Sequence, residues 1–198
     1  MPKPYKVKDF YFLKAKKEGL RARSAYKLEE AQIRFKLIKK NDSVLDLGSA
    51  PGSFLQKIHE FVGDKVEIIG IDLNKIENLP YSNIKLYQAD ISDLSAVQNL
   101  LGERKFDCIT ADLAPKTSGI KDLDVARSID LNYAVLETAK IFLKKNGNLI
   151  SKIFEGEDFN IFYRKFKNMF EKSNCFKPNS TRDRSREIFV IGRGFIIK

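Results

Sequence analysis

The chain has no tryptophan, one histidine and two cysteines among its 198 residues. Cys108 and Cys175 lie far apart and fit no metal-ligand spacing, and Cys108 falls within the apolar run FDCIT, which predicts a small core residue. No apolar run approaches the roughly 20 residues that span a bilayer, and the basic N-terminus contains no apolar signal core. We therefore expect no metal site and no membrane contact.

Scarce cysteine also indicates a reducing, intracellular compartment. No targeting extension is visible before the basic segment. We expect a cytoplasmic protein, or one of a mitochondrion, another organelle or the nucleolus if a targeting segment has been removed.

Acidic residues are few at the two ends of the chain. The net charge is +10, and residues 1–27 hold nine basic side chains against Asp9 and Glu18, which gives this segment +7. The nine are Lys3, Lys6, Lys8, Lys14, Lys16, Lys17, Arg21, Arg23 and Lys27. A second basic cluster comprises Lys177, Arg182, Arg184 and Arg186. Basic ends on a near-neutral middle predict a polyanionic partner, with nucleic acid the first candidate and a solvated surface without a partner the alternative.

Repeats, low-complexity tracts and Pro- or Ser-rich linkers are absent as well, so we predict one domain over residues 1–198. Residues 1–35 are expected to form a basic nucleic-acid-binding segment and a helix packed on the core. Apolar runs predict strands at 43–48, 66–73, 84–90, 106–114, 148–154 and 187–198. Helical patterns predict helices at 24–36, 53–62, 92–101, 124–144 and 158–171, with N-caps at Ser24 and Asp158 and a helix stop at 146–147.

The order of these segments predicts the fold class. Alternating strands and helices are typical of an α/β, Rossmann-like, doubly wound sheet. Continuous runs of Ile, Val and Leu indicate strands that are covered on both faces. The last stretch is expected to fold back at Gly192–Gly194 as a hairpin. An antiparallel C-terminal strand would then complete a mostly parallel sheet of seven strands, with helices on both faces.

A glycine loop, DLGSAPGSF at residues 46–54, follows the first predicted strand. In a doubly wound sheet, ligands bind beyond the carboxyl ends of the strands, where glycines admit a close approach and a helix N-terminus offers N–H groups. The spacing from Gly48 to Gly52 is G-x-x-x-G, which matches neither the dinucleotide nor the P-loop pattern. Pro51 also removes a backbone donor. The loop predicts a nucleotide-like ligand and disfavours a pyrophosphate.

Acidic residues end the next two predicted strands. Asp72, after IIGI, can accept both hydroxyls of an adenosine ribose, and Asp90, in QAD, can accept an adenine amino group. NAD and S-adenosylmethionine share that ribose, so Asp72 does not distinguish between the two cofactors. A structural role as a turn or N-cap aspartate explains Asp72 equally well. The D-x-G-x-x-P-G loop together with both acids favours S-adenosylmethionine.

Two further strands bring unusual polar residues to the same edge of the sheet. Asp112 stands in TADLAPKTSG, and Lys152 ends the otherwise apolar run NLISKIF. Burying an unpaired ammonium costs several kcal/mol. Lys152 therefore indicates a paired, functional lysine, and a side chain that extends to solvent is the alternative.

At these residues the chain resembles the FtsJ/RrmJ family of heat-shock ribosomal RNA 2′-O-ribose methyltransferases. The resemblance covers nearly the whole length, through GLRARSAYKL, DLGSAPGSF, ADLAPKTSG, SKIFEG and KPNSTRDRSREIFVIG in that order. It implies S-adenosylmethionine as cofactor and a catalytic tetrad at Lys27, Asp112, Lys152 and Glu187. One departure is Phe54, where relatives usually carry Trp, so that an aromatic face is kept and the indole donor is lost.

The resemblance also implies the cofactor contacts and the substrate. The contacts correspond to Asp46, Gly48, Ser49, Ala50, Pro51, Gly52, Ser53, Phe54, Asp72, Asp90 and Asp112. The implied substrate is a uridine of large-subunit ribosomal RNA. We expect a monomer that binds RNA through its basic ends.

The side chains suggest how such a reaction would proceed. A ribose 2′-hydroxyl is a weak nucleophile that needs a base, and a free lysine is mostly protonated at neutral pH. A second cation such as Lys27, the sulfonium and partial burial would favour the neutral form of Lys152. We assign Lys152 as the proton acceptor, Asp112 as the residue that orients it, and Lys27 and Glu187 as supporting charges.

Other functions stay open on the sequence alone. A tRNA anticodon-loop methyltransferase of the same family is one, and SREIF matches the ribosomal branch only slightly better. A catalytically inactive RNA-binding module would not need all four tetrad positions filled. The glycine spacing and basic ends disfavour an NAD-dependent oxidoreductase, and no cap-binding insert points to an mRNA cap enzyme.

Overall fold

The computed structural model of the protein describes residues 10–116, 118–182 and 185–196. These residues form six helices: α1 (Phe10–Lys17), α2 (Ala25–Phe35), α3 (Ser53–Val62), α4 (Leu94–Leu101), α5 (Lys121–Phe142) and α6 (Phe159–Lys167). They also form seven strands: β1 (Val44–Leu47), β2 (Ile68–Asp72), β3 (Ile84–Gln88), β4 (Phe106–Ala111), β5 (Leu143–Phe154), β6 (Phe170–Phe176) and β7 (Glu187–Phe195).

The strands form one sheet in the order β3-β2-β1-β4-β5-β7-β6. β1 to β5 pair in parallel, and β7 lies antiparallel between β5 and β6. One core cluster packs α4, α5 and α6 against the sheet, and a second packs α2 and α3 against the other face. The predicted α/β fold, with a mostly parallel seven-stranded sheet and helices on both faces, is confirmed.

The central strands are rich in apolar residues because both of their faces are covered. Every residue of β1 and β2 is buried. Along β1 the side chains alternate, so that Leu45 and Leu47 join the α4–α6 cluster and Val44 joins the α2–α3 cluster. Cys108 on β4 is fully buried, as predicted for a small core residue.

The predicted hairpin at Gly192–Gly194 is wrong. β7 continues through these glycines to Phe195 and pairs with β5 on one edge and β6 on the other. β6 was not predicted, and its first two residues fall within the helix predicted at 158–171. In the edge strand FEKSNCF, Phe170 and Phe176 are the two buried residues, so it shows no apolar alternation.

Several predicted boundaries also change. α5 ends at Phe142, and the predicted stop at Asn146–Gly147 is an irregularity inside β5, between the pairs Phe106–Leu143 and Cys108–Asn148. Ser24 and Asp158 occupy N-cap positions but make no side-chain capping bond. Helix α1 was not predicted separately.

Within the described ranges, residues 10–116, 118–182 and 185–196, no helix is long and apolar enough to cross a membrane. No group of His, Cys, Asp and Glu side chains in them could hold a metal ion.

The position of Gly192 beneath the Phe170 ring gives a test of the strand assignment. A Cβ at Gly192 would come within 2.5 Å of two ring carbons of Phe170. Gly192→Ala is therefore expected to lower the free energy of unfolding by about 1–3 kcal/mol through overpacking, as measured by urea denaturation. In the predicted hairpin turn the methyl group would have met solvent.

Phe170→Leu supplies the control, because the smaller side chain leaves room for that methyl group. The double variant should be more stable than the summed effects of the two single variants. Strictly additive effects would show that Gly192 and Phe170 are not in contact.

Candidate active site

The glycine loop leaves β1 and is fixed to β2. The N–H groups of Gly48 and Ser49 donate to the Ile71 carbonyl at 2.8 and 3.2 Å. Gly48 and Gly52 have φ values of +73° and +109°, which glycine adopts more readily than other residues. The loop conformation therefore requires glycine at both positions.

Protein atoms occupy the space beside each of these glycines. A Cβ at Gly48 would lie 2.7 Å from Leu113 Cδ2, and one at Gly52 would lie 3.0 Å from Arg21 Nη1. Glycine is therefore required at both positions because the side chains of Leu113 and Arg21 lie against the loop backbone. The sequence had suggested a different reason, the close approach of a ligand.

Asp72 connects the loop to the end of β2. Its Oδ2 accepts the Ala50 N–H at 2.9 Å, and its Oδ1 accepts the backbone N–H and the side-chain Nδ2 of Asn74 at 2.7 and 3.1 Å. A carboxylate offers about four acceptor sites. One acceptor position therefore remains on Oδ2, and it can accept one further hydrogen bond. The sequence predicted that Asp72 would accept hydrogen bonds from two ribose hydroxyls.

A cleft of about 450 Å³ opens at the carboxyl ends of β1, β2, β3 and β4, a volume typical of small-molecule sites. Five predicted cofactor residues line it: Gly48, Ala50, Asp72, Asp90 and Asp112. Leu73, Asn74, Ile91, Leu113, Lys116 and Leu131 are among the other lining residues. Asp90 is exposed at this rim and accepts the Ser92 N–H at 2.8 Å.

The other six predicted cofactor residues lie in or below the loop. Asp46, Ser49, Ser53 and Phe54 are buried, and Pro51 and Gly52 complete the turn into α3. Phe54 belongs to the α2–α3 core cluster and not to the cleft lining. Its cofactor contact, and those of the other five, stay predictions.

Asp46 is fully buried beneath the loop. Thr110 Oγ1 donates to its Oδ1 at 2.5 Å, and its Oδ2 has no hydrogen-bond partner within the described residues. Burial, aided by the charges of Asp112 and Asp72, raises the pKa of Asp46 to about 8, although the Thr110 hydrogen bond opposes the rise. The rim of the cleft carries the three carboxylates of Asp72, Asp90 and Asp112, which suit a cationic ligand with N–H and O–H donors and disfavour a pyrophosphate.

Lys152 and Asp112 form a buried ion pair at the edge of this cleft. Lys152 Nζ lies 2.7 Å from Asp112 Oδ1 and donates to the Asp112 carbonyl at 3.1 Å. The two side chains are 8% and 15% exposed. Because Asp112 directly follows β4 and also lines the cleft, it connects the lysine to the cofactor site.

Lys27 of α2 pairs in the same way with Glu187, the first residue of β7. Lys152 is opposite Phe189 in the β5–β7 register, and Glu187 lies two residues before Phe189, so the three side chains share one face of the sheet. Lys27 Nζ lies 6.0 Å from the Phe189 ring centroid. The four residues predicted as a tetrad are thus brought together as two buried ion pairs.

Arg21 holds the loop in place, a role that the sequence analysis missed. Its guanidinium donates to the carbonyls of Pro51, Glu77 and Asn78 at 2.9, 2.7 and 2.7 Å. These bonds join the glycine loop to the segment after β2. Backbone carbonyls carry no sequence signal, so only the position of Arg21 in RARSAYKL could have drawn attention to it.

The two basic clusters meet beside the Lys27–Glu187 pair. Glu30 of α2 accepts the N–H groups of Asn179 and Ser180 at 2.7 and 2.9 Å, and Arg23 donates to the Ser180 carbonyl. Lys16 and Lys17 on α1 are exposed, as is Arg186. Lys3, Lys6, Lys8, Asp9 and Arg184 lie outside the described residues.

Comparison with known proteins identifies relatives over almost the full chain. The ribosomal RNA large subunit methyltransferase E of Anaeromyxobacter dehalogenans is 43% identical over 197 residues, which cover 98% of this chain and 74% of that protein. The protein of the same name from Myxococcus xanthus is 41% identical over 97% of this chain and 91% of its own length.

Solved structures share the fold. A protein from Plasmodium falciparum described as a ribosomal RNA methyltransferase matches with a TM-score of 0.78 and 29% identity, over 90% of this chain and all of that one. Fibrillarin from Aeropyrum pernix, solved with S-adenosyl-L-methionine, matches with a TM-score of 0.62 over 85% of this chain and 76% of its own. At 17% identity the fibrillarin match supports the fold alone.

A family model described as FtsJ-like methyltransferase matches residues 20–195. This range contains the glycine loop, the acidic cleft and both lysine–carboxylate pairs. The resemblance seen in the motifs and S-adenosylmethionine as cofactor are confirmed: the chain belongs to the FtsJ-like methyltransferase family.

Proposed function

We propose that the protein is an S-adenosylmethionine-dependent RNA 2′-O-ribose methyltransferase that modifies a uridine of large-subunit ribosomal RNA, with Lys152 as the proton acceptor. The observation that carries this proposal is the double role of Asp112. Asp112 lines the acidic cleft, and its carboxylate at the same time binds the ammonium of Lys152. A hydroxyl that approaches the cofactor methyl group from this side would therefore meet Lys152.

When bound, S-adenosylmethionine supplies an electrophilic methyl group on a positively charged sulfur. Gly48, Ala50, Asp72, Asp90 and Asp112 would hold it in the cleft. The carboxylates suit its positive charge, which a pyrophosphate lacks. The chain's own task is to align a ribose hydroxyl with that methyl group and to take up the hydroxyl proton.

The geometry around Lys152 supports its role as the base. Its Nζ contacts two acceptors, the carboxylate and the carbonyl of Asp112, at 2.7 and 3.1 Å. Once the ammonium of this pair has released a proton to solvent, the neutral amine retains two hydrogens and one lone pair, so it can keep its bond to the Asp112 carbonyl and still receive a proton from the 2′-hydroxyl. Asp112 then stabilises the ammonium that forms.

Lys27 and Glu187 would supply the electrostatic surroundings of the RNA ribose. Glu187 is 12% exposed and Lys27 11%, so their pair is largely protected from solvent screening. The exposed cations of α1 and Arg186 suit contacts to phosphates. Ribosomal RNA is the substrate named for the bacterial relatives, and we extend it to this chain on that basis.

Removing Lys152 tests the chemical step. Lys152→Ala is expected to lower kcat by about 10²- to 10⁴-fold, the usual contribution of a general base. Lys152→Arg should fail equally, since a guanidinium stays protonated. Single-turnover transfer of labelled methyl groups to unmodified large ribosomal subunits measures the rate, and calorimetry checks that S-adenosylmethionine still binds.

Lys57→Ala is the matched control. Lys57 is equally buried, at 8% side-chain exposure, and pairs with Glu29 and Glu60 away from the cleft. Its removal should reduce stability and leave kcat near the wild-type value. Near-normal methylation by Lys152→Ala would refute the assignment of Lys152 as the base.

Calorimetry also tests the cofactor pocket. S-adenosylmethionine is expected to bind with one-to-one stoichiometry, while NAD should give no binding heat because its pyrophosphate would face three carboxylates. Asp72→Asn should weaken S-adenosylmethionine binding about 10- to 100-fold through the loss of charged hydrogen bonds. Asp64→Asn is the control, since Asp64 is 88% exposed; equal weakening in both variants would argue against the assigned pocket.

Mapping of ribose methylation distinguishes the candidate RNAs. The protein is incubated with unmodified large subunits, free ribosomal RNA and tRNA, and methylated riboses are located by their resistance to alkaline cleavage. We expect one uridine in large-subunit RNA. Modification confined to a tRNA anticodon loop would replace ribosomal RNA as the substrate, and modification of a base would overturn the 2′-O assignment.

A further inference from the structure

β5 extends beyond its neighbour β4. β4 ends at Ala111, opposite Ser151, whereas β5 continues to Phe154 and remains paired with β7 as far as Glu187. The last three residues of β5 therefore have a strand partner on one edge, and Lys152 is the first of them. Their backbone groups need other partners on the side of β4, because buried unpaired groups are costly.

Helix α5 supplies those partners through two side chains. Asn132 Nδ2 donates to the Lys152 carbonyl at 2.9 Å, and the Phe154 N–H donates to Ser128 Oγ at 3.0 Å. Ser151 Oγ donates to Asn132 Oδ1 at 2.6 Å, and Asn132 Nδ2 also donates to the Ser128 carbonyl at 2.8 Å. Both amide hydrogens and the amide oxygen of Asn132 are thus in use.

This group of polar side chains is completely enclosed. Asn132 is 0% exposed, and Ser128 and Ser151 are 1% exposed. The neighbouring apolar residues of α5 and β5, including Val135, Leu149 and Ile153, belong to the core cluster on that face. Three polar residues in an apolar layer fix the backbone more specifically than apolar packing alone.

We propose that Asn132 is a positioning residue for Lys152, and that α5 sets the place of the lysine amine by holding the backbone at the end of β5. This inference rests on the proposed function, since it concerns the residue assigned as the base. Side chains alternate along β5, so Ser151 faces α5 while Lys152 faces the opposite side with Asp112. Asn132 therefore acts on the amine through the main chain and has no place in the cleft lining.

The test uses Asn132→Leu in the full chain, which keeps the branched shape and heavy-atom count of the side chain and removes its hydrogen bonds. Its kcat for methyl transfer to unmodified large subunits is expected to fall about 10- to 100-fold, because small displacements of reacting groups are costly. KM and the calorimetric stoichiometry for S-adenosylmethionine should stay unchanged, since no cofactor-lining residue is altered.

A second readout is independent of methylation. Brief acetylation of the native protein followed by peptide mass spectrometry measures how accessible each lysine amine is. In Asn132→Leu the labelling of Lys152 should rise about fivefold or more, because local opening at the end of β5 becomes easier. As whole residues Lys57 and Lys152 are each 6% exposed, so Lys57 is the internal reference and its labelling should not change.

Thr138→Val is the matched control on the same helix. Thr138 is 0% exposed, and its Oγ1 has no hydrogen-bond partner in the part of the chain that the structure describes. This variant should match the wild type in both readouts. If Asn132→Leu does not fold, Ser151→Ala removes a single donor to Asn132 and should show the same changes to a smaller degree.

The possible results separate this inference from the proposed function. Increased labelling of Lys152 alone supports the positioning role, even if no RNA tested is methylated. Labelling and kcat equal to those of Thr138→Val would overturn it, even if the wild type methylates ribosomal RNA. Equal increases at Lys152 and Lys57 would also overturn it, because they would indicate general destabilisation.

Discussion

The offset between the ends of β4 and β5 is the constraint on which the site depends. β4 stops at Ala111, so Asp112 leaves the sheet and can face both the cleft and the next strand. β5 continues beside β7 and carries Lys152 one residue past the end of β4. If the two strands ended together, the carbonyl of Asp112 would be a strand acceptor and would not be available to the lysine. The ion pair and the cleft therefore follow from the same geometry.

Electrostatics determine what this geometry can bind. The cleft presents Asp72, Asp90 and Asp112 with a single lysine, Lys116, among its lining residues. The lysines beside it, Lys27 and Lys152, are each neutralised by a carboxylate in a largely buried pair. Breaking such a pair leaves a buried charge at a cost of about 3–5 kcal/mol. Stability alone does not favour these pairs over apolar residues, which supports a functional reason for them.

Features that depend on neighbouring residues were predictable from the sequence, and features that depend on distant ones were not. Apolar runs gave the parallel strands, and motif order placed the glycine loop and the four tetrad positions. β6 was not predicted because only its first and last residues are buried, so this edge strand shows no alternation of apolar and polar residues. Arg21 and Asn132 donate to backbone carbonyls that lie 30 and 20 residues away along the chain. Every residue has a backbone carbonyl, so the sequence carries no signal for these contacts. Phe54 packs in the core cluster with α2, and its contact with the cofactor stays a prediction.

The basic N-terminal segment has a structural function that its charge alone does not reveal. Arg21 binds carbonyls of the glycine loop and of the segment after β2, Arg23 reaches the loop before β7, and Lys27 pairs with Glu187. Fewer cations are therefore available for phosphates than a net charge of +10 suggests. The same segment carries the exposed Lys16 and Lys17. The N-terminal segment therefore contacts the glycine loop through Arg21 and the buried ion pairs through Lys27, while Lys16 and Lys17 face solvent. RNA bound to these exposed lysines would lie on the same segment that holds the glycine loop in place.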